Sequence, residues 1–231
     1  MNFANVKSIT IPEGDVKSIA IGGVTVWEKP NPLPYDAEVE YVETEGDAYV
    51  NTGVYLASTS SVFATFSNCL AAIRSQLFGA RSGFQNKMFS VQYTSPETIN
   101  FNFGDTQSQL FNATIDNAAT SIVVQNGVLT FGPYTIDRSS TPAFLTEFQA
   151  LILSMNNGGV PNVRYAGLRC HGFRIEHGGV LVRDYAPVRV GTAGYLYDRA
   201  NPTGGPLGNG LYGSATATPL VAGPDKNGGA A

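Results

Sequence analysis

The 231-residue chain is short of the residues from which most catalytic and metal centres are built: two histidines, two cysteines, one tryptophan and three methionines. His171 and His177 lie six positions apart across a strand and a turn, which matches no zinc-ligand spacing. No metal site is therefore expected. Cys69 and Cys170 are about a hundred residues apart and are read as two buried thiols rather than a disulfide, as befits a chain kept in a reducing cytoplasm. Charge is also scarce. Only 14% of residues are charged and the net charge is −4, so the clustered Lys and Arg that nucleic acid requires are missing. No apolar run approaches the roughly 20 residues of a membrane-spanning helix. The opening Met-Asn-Phe-Ala-Asn-Val-Lys lacks the apolar core of a secretory signal. No Gly-x-Ser-x-Gly elbow accompanies the many serines.

Glycine (26 residues) and aromatics (11%) are plentiful instead, a balance that suits an all-β domain with many turns. Short alternating runs are read as strands at 37–43, 48–54, 61–71, 76–79, 88–93, 98–103, 109–115, 121–124, 128–136 and 148–155. Gln125-Asn-Gly127 and Asn156-Asn-Gly-Gly159 are hairpin turns by composition. Many short strands without helical periodicity predict a sandwich or jelly roll. The Gly, Pro, Ala, Thr and Asn of residues 201–231 read as a loose tail.

Residues 1–29 stand apart. Val6-Lys-Ser-Ile9 recurs as Val16-Lys-Ser-Ile19, and Gly22-Gly23 reads as a two-residue hairpin loop that sets Ile21 opposite Val24 and Ile19 opposite Val26. A three-stranded meander results, with Ile9, Ile11, Ile19, Ile21, Val24, Val26 and Trp27 as its apolar docking residues. So small a sheet is marginal alone, so it lies either on its own domain or, as a docking arm, on other proteins or copies of itself. Lys29-Pro-Asn-Pro-Leu-Pro-Tyr35 contains a stiff proline linker (30–35), followed by a domain over 36–226 and a short tail over 227–231.

The best-defined stretch runs from Gly167 to Arg199. Leu168, Cys170, Phe173 and Ile175 alternate with polar residues, His177-Gly-Gly179 is a tight turn, and Val180-Leu-Val-Arg-Asp184 returns as the partner strand. Pro187 is expected to end that pairing. The run Phe173-Arg-Ile-x-x-x-Gly-Val-Leu-Val-Arg-Asp-Tyr-x-Pro-Val-Arg-Val-Gly-x-x-Gly-Tyr-Leu-Tyr-Asp-Arg199 resembles the C-terminal part of concanavalin A-like (laminin G-like) sandwiches found in gut bacteria, prophages and tailed phages. Residues 36–53 and Gly223-Pro-Asp-Lys226 fit the same resemblance, which covers most of 36–226. Ile9-Thr-Ile-Pro-Glu-Gly14, with the Val-x-Val-Trp strand after it, is similar to N-terminal pieces of phage structural proteins.

What the resemblance implies is a concanavalin A-like jelly-roll sandwich in a phage context, a fold that hosts many functions. Glycosidases of this fold use Glu-x-Asp-x-x-Glu on one strand, and Glu38-Val-Glu-Tyr-Val-Glu43 has that spacing, with Glu40 in place of the aspartate. Glu38 would be the nucleophile and Glu43 the acid/base. Glutamates on an edge strand also serve simply to block aggregation. Lectin-like sandwiches hold calcium through loop carboxylates, which makes Asp47 and Asp105 candidates, although a turn aspartate accepting backbone N–H groups is the commoner arrangement. Tyr93 and Tyr134, beside turn residues, are the candidate sugar platforms. The expectation is a non-enzymatic virion protein (capsid decoration, head fibre or tail component) that oligomerises and contacts other virion proteins. It needs no cofactor, calcium aside, and is made in the host cytoplasm. The alternatives are a glycan-binding adhesin of cell-surface or mucosal sugars, and a glycosidase on Glu38 and Glu43.

Overall fold

The structure is a computed structural model that describes residues 18–21, 24–28, 33–69, 76–83, 86–95, 97–111, 117–162 and 167–226. The chain divides into two compact units, 1–33 and 34–231. In the first, β1 (Ser18–Ile21) and β2 (Val24–Glu28) form an antiparallel hairpin. Ile21 faces Val24 as expected, but Ile19 faces Trp27 rather than Val26. The register shifts by one residue between Ile19 and Ala20, a bulge that inserts one extra residue into the second strand. Ile9, Ile11 and the first strand of the expected meander lie outside the described residues.

The second unit is an all-β sandwich of two large, almost wholly antiparallel sheets. It opens with two short strands, β3 (Ala37–Glu38) and β4 (Val42–Glu43), then the hairpin of β5 (Val50–Ala57) and β6 (Ser60–Ser67). A meander follows: β7 (Gln76–Arg81), β8 (Met88–Ser95), β9 (Thr98–Gly104) and β10 (Thr106–Phe111). A second meander joins β11 (Thr120–Gln125), β12 (Val128–Phe131) and β13 (Tyr134–Asp137). Next come β14 (Leu145–Ile152) and the two-residue strands β15 (Asn156–Asn157) and β16 (Val160–Pro161). The chain closes with β17 (Arg169–His177), β18 (Val180–Val190), β19 (Ala193–Asp198), β20 (Leu211–Tyr212) and β21 (Leu220–Ala222).

One sheet has the order β10-β9-β8-β7-β14-β5, with β15 and β16 attached beside β7. The other runs β13-β12-β11-β6-β17-β4-β21-β19-β18-β3. Alternation decides which residues meet between them. Phe89, Val91 and Tyr93 of β8 and Ile99, Phe101 and Phe103 of β9 join the common core. Their alternates Ser90, Asn100 and Asn102 occupy the opposite face of the same sheet and are also buried. Phe66 and Phe173, from the second sheet, meet Phe78 of the first, and Phe173 approaches Phe78 edge-on with centroids 5.2 Å apart. Such pairs add roughly 1 kcal/mol to the burial of the rings.

Two expectations change here, and a third is refined. Residues 37–43 are not one strand: β3 pairs with β18, whereas β4 lies between β17 and β21. The β17–β18 pairing stops at Tyr185, just before Pro187, as expected, but β18 itself runs on and Pro187 pairs with Leu196 in its interior. Its carbonyl accepts Val39 N–H, so the missing donor faces the side where β17 has already stopped, and no ladder bond to β19 is lost. Residues 201–226 are not a loose tail. β21 fills the gap between β4 and β19, and Glu40 N–H and Lys226 N–H exchange bonds across this seam with Pro224 O and Glu38 O. Gly194 makes the fit close, since a Cβ there would lie 3.0 Å from Val221 backbone and from Val42. The two ends of the domain are thereby sewn together.

Candidate functional sites at the two ends of the sandwich

Charge concentrates where those ends meet. Arg189 binds both oxygens of Asp225, with Nε 2.6 Å from Oδ1 and Nη2 2.8 Å from Oδ2, and lies 3.7 Å from Asp36. The guanidinium holds the Asp225 carboxyl below its ordinary pKa. Glu38 takes Arg199 at 2.6 Å and Lys226 at 4.0 Å, while Glu43 takes Arg169 at 2.5 Å. The two glutamates proposed as a hydrolytic pair thus stand on different strands, each engaged by its own arginine, which corrects the single-strand arrangement their spacing suggested.

The other candidate residues resolve individually. Tyr93 is 2% exposed and its ring meets Phe131 edge-on, so it is a core residue and offers no sugar platform; strand parity overrides its neighbouring turn. Tyr134 is half-buried against the core cluster. His171 accepts or donates at 2.7 Å to Ser67 Oγ, and His177 Nδ1 lies 2.8 Å from Ser60 Oγ, so both are half-buried side chains rather than exposed turn residues. Burial lowers the pKa of each. Asp47 is engaged by Thr218 Oγ1 at 2.5 Å, and Asp105 accepts Lys87 N–H at 3.2 Å. Among the described residues, no three His, Cys, Asp or Glu side chains cluster as metal ligands would. Cys69 and Cys170 are buried thiols not joined in a disulfide, and burial pushes the Cys170 thiol up to about 12.

At the opposite end four turns converge. Gly178-Gly179 joins β17 to β18, Ser58-Thr59 joins β5 to β6, Asn126-Gly127 joins β11 to β12, and residues 138–144 lead into β14. Backbone bonds tie them together: Gly178 N–H to Thr59 O, Arg138 N–H to Gly127 O, and Ser58 N–H to Phe144 O. Gly127 has φ +75°, and a Cβ there would stand 2.9 Å from Arg138 O, so only glycine lets the two turns meet. The turns enclose an open pocket of about 640 Å³ with Phe103 at its base. Its polar side chains are all neutral, from Ser58, Thr59, Ser61, Gln125, Asn126, Ser139 and Thr141. The side chains of Gln125 and Asn126 make no hydrogen bond to another described residue. Next to it stand two exposed apolar residues: Val180, which is 68% exposed, and Leu145, which is 55% exposed and pairs with Ala57.

A second groove of about 530 Å³ lies on the flank between β5, β14 and the 201–215 loop. Asn51, Gln149, Arg183 and Asn201 supply its polar atoms, and Pro206 and Leu207 its apolar wall. Nothing in the Gly- and Pro-rich sequence marked this loop as a wall. It is held by its own turns, with Gly204 N–H to Asn201 O and Gly210 N–H to Gly204 O, and by Asp198 N–H to Gly210 O. A third depression of about 290 Å³ on the outer face of β6, β17 and β18 carries Arg174, Asp184, Arg199 and Lys226. Arg174 is already paired with Glu176 and stacked on Phe63.

No protein-family model matches the chain, and no curated protein is detectably similar to it in sequence.

Proposed function

We propose that the protein is a non-enzymatic attachment protein of a phage particle, in which residues 1–33 dock to the particle and the sandwich presents a glycan-binding end. In this reading the concanavalin A-like jelly roll is the display scaffold, and oligomerisation on the particle multiplies weak sugar contacts. The supporting observation is the polarity of β18. Its last residues lie beside the point where the linker enters, because Asp36 N–H bonds Arg189 O and Asp36 Oδ2 accepts Gly191 N–H. Its first residue follows the Gly178-Gly179 turn of the neutral pocket. Ten strand steps of about 3.3 Å separate the two, so the pocket is roughly 30 Å from the attachment point.

The chemistry of the pocket supports the same role. Hydroxyl and amide side chains exchange hydrogen bonds with sugar hydroxyls without a charge penalty, and exposed Val180 and Leu145 suit the apolar faces of a saccharide. The test compares the full chain with a chain beginning at Pro34, on particles lacking this protein and on an array of neutral glycans. The expected result is that the shorter chain stays folded and keeps its glycan binding but no longer attaches to particles. Attachment that survives removal of 1–33, or an array that stays blank, would overturn the proposal.

A further inference from the structure

We infer that the flank groove at Arg183 is a second binding site, and that it takes a carboxylate, in the form of an acidic sugar residue. The inference does not depend on the neutral pocket or on particle attachment. Arg183 is set in place from behind. Its Nε lies 3.5 Å from Oδ2 of Asp198, a fully buried carboxylate, and 3.3 Å from Thr52 O, and its Nη1 donates to Val182 O at 2.9 Å. Asp198 is fixed in turn by its Oδ1, which accepts Asp184 N–H at 3.0 Å and Ala200 N–H at 3.1 Å. These contacts use Nε and Nη1 of the guanidinium. The Nη2 end is left toward the groove, 3.8 Å from where a Cβ would stand on Gly53. A planar group held this way loses little freedom on binding a second planar group.

The amides beside it are oriented by the same kind of constraint. Gly53 N–H can only donate, and it meets Asn51 Oδ1 at 3.0 Å. Asn51 Nδ2 therefore faces the other way and donates to Gln149 Oε1 at 3.0 Å. Gln149 Oε1 is then occupied, and its Nε2 is a donor with no acceptor among the described residues. The groove thus presents donors, Arg183 Nη2 and Gln149 Nε2, over an apolar wall of Pro206 and Leu207. The carboxylate behind the guanidinium shares its charge with two backbone N–H groups, so it steadies Arg183 without occupying the end that faces the groove. Converging donors around an arginine fit the two oxygens of a carboxylate, and the apolar wall fits the C–H face of the ring that bears it.

The experiment is a calorimetric titration of the full chain with oligogalacturonate, with a neutral oligosaccharide of equal length, and with acetate. Oligogalacturonate is expected to bind with an affinity that falls as salt is raised, and the neutral sugar is expected not to bind in this groove. Arg183→Gln should abolish uronate binding. Leu207 is 58% exposed, so its variants fold whatever happens to Arg183→Gln. Leu207→Glu should weaken uronate binding by about threefold and Leu207→Lys should tighten it by about as much. Acetate binding with the same Arg183 dependence would identify the carboxylate alone as the recognised group and would support the site. Uronate binding that is indifferent to salt and to both Leu207 variants, or no uronate binding at all, would overturn it.

Discussion

The two ends of the sandwich use opposite chemistry. Where the linker enters, Arg169, Arg189 and Arg199 each grip a carboxylate from a segment far away in sequence, and the first and last strands of the domain interleave. At the far end, four turns meet through backbone bonds and the Ser60–His177 side-chain bond, with no ion pair among the residues lining the pocket they form. Scarce charge is therefore spent on holding the chain ends together, and neutral polar groups are kept for the open pocket. Exposed ion pairs contribute little individually. At the linker end their value is in fixing which segments pair, while β21 and its backbone bonds supply the stability.

That difference can be attacked from either side. Removing residues 220–231 deletes buried Leu220 and the backbone bonds to Tyr41, Glu40 and Glu38, and leaves β4 and β19 each without the β21 partner on one side. The expected loss is about 4 kcal/mol or more in a urea titration, enough to abolish cooperative unfolding in a marginal domain. Next in size is Asp198→Ala, which strands Arg183 and two backbone donors, at about 3 kcal/mol by the same titration. At the far end, Gly127→Ala forces a side chain into φ +75° against Arg138 O and should cost about 1–2 kcal/mol, with the local damage visible as shifted amide resonances at Ser139.

The smallest effect is on pH dependence, and it separates the buried histidines from the arginine-clamped carboxylate. Burial lowers the pKa of His171 and His177, so the folded state favours their neutral forms. Their contribution is complete above the ordinary histidine range and is lost as the pH falls below about 6.5. Asp225, lowered by Arg189, contributes above the ordinary carboxylate range and is lost only as the pH falls through its depressed value. Melting temperature should therefore drop in two stages on acidification. His171→Gln with His177→Gln should flatten the first stage, and Arg189→Ala the second.

Much of this fold could be read from alternation and turns. β17, the Gly178-Gly179 turn and the start of β18 follow directly from Leu168, Cys170, Phe173 and Ile175, because strand parity is local. Partners distant in sequence were not legible. Nothing local to Glu38 or Glu43 announces Arg199 and Arg169, more than a hundred residues away, so their spacing suggested a catalytic strand where two separate edges exist. Tyr93 was misplaced for a related reason: adjacency to a turn says less than position within β8. The 201–226 segment looks structureless by composition because glycine and proline also build tight, hydrogen-bonded turns. Only the strand β21 at its end reveals what those turns support. The Arg183 groove was missed altogether, since it draws on β5, β14, β18 and that loop at once.

The division of labour between the ends is most directly tested by a backbone-amide NMR titration of the full chain with neutral oligosaccharides selected from the glycan array. Shifts confined to the four turns, at Ser58, Thr59, Asn126, Gly127, Gly178 and Gly179, with 36–43 and 220–226 silent, are the expected result. Shifts centred on the arginine-clamped end, or saturation with no shift at the turns, would contradict a binding end placed far from the linker.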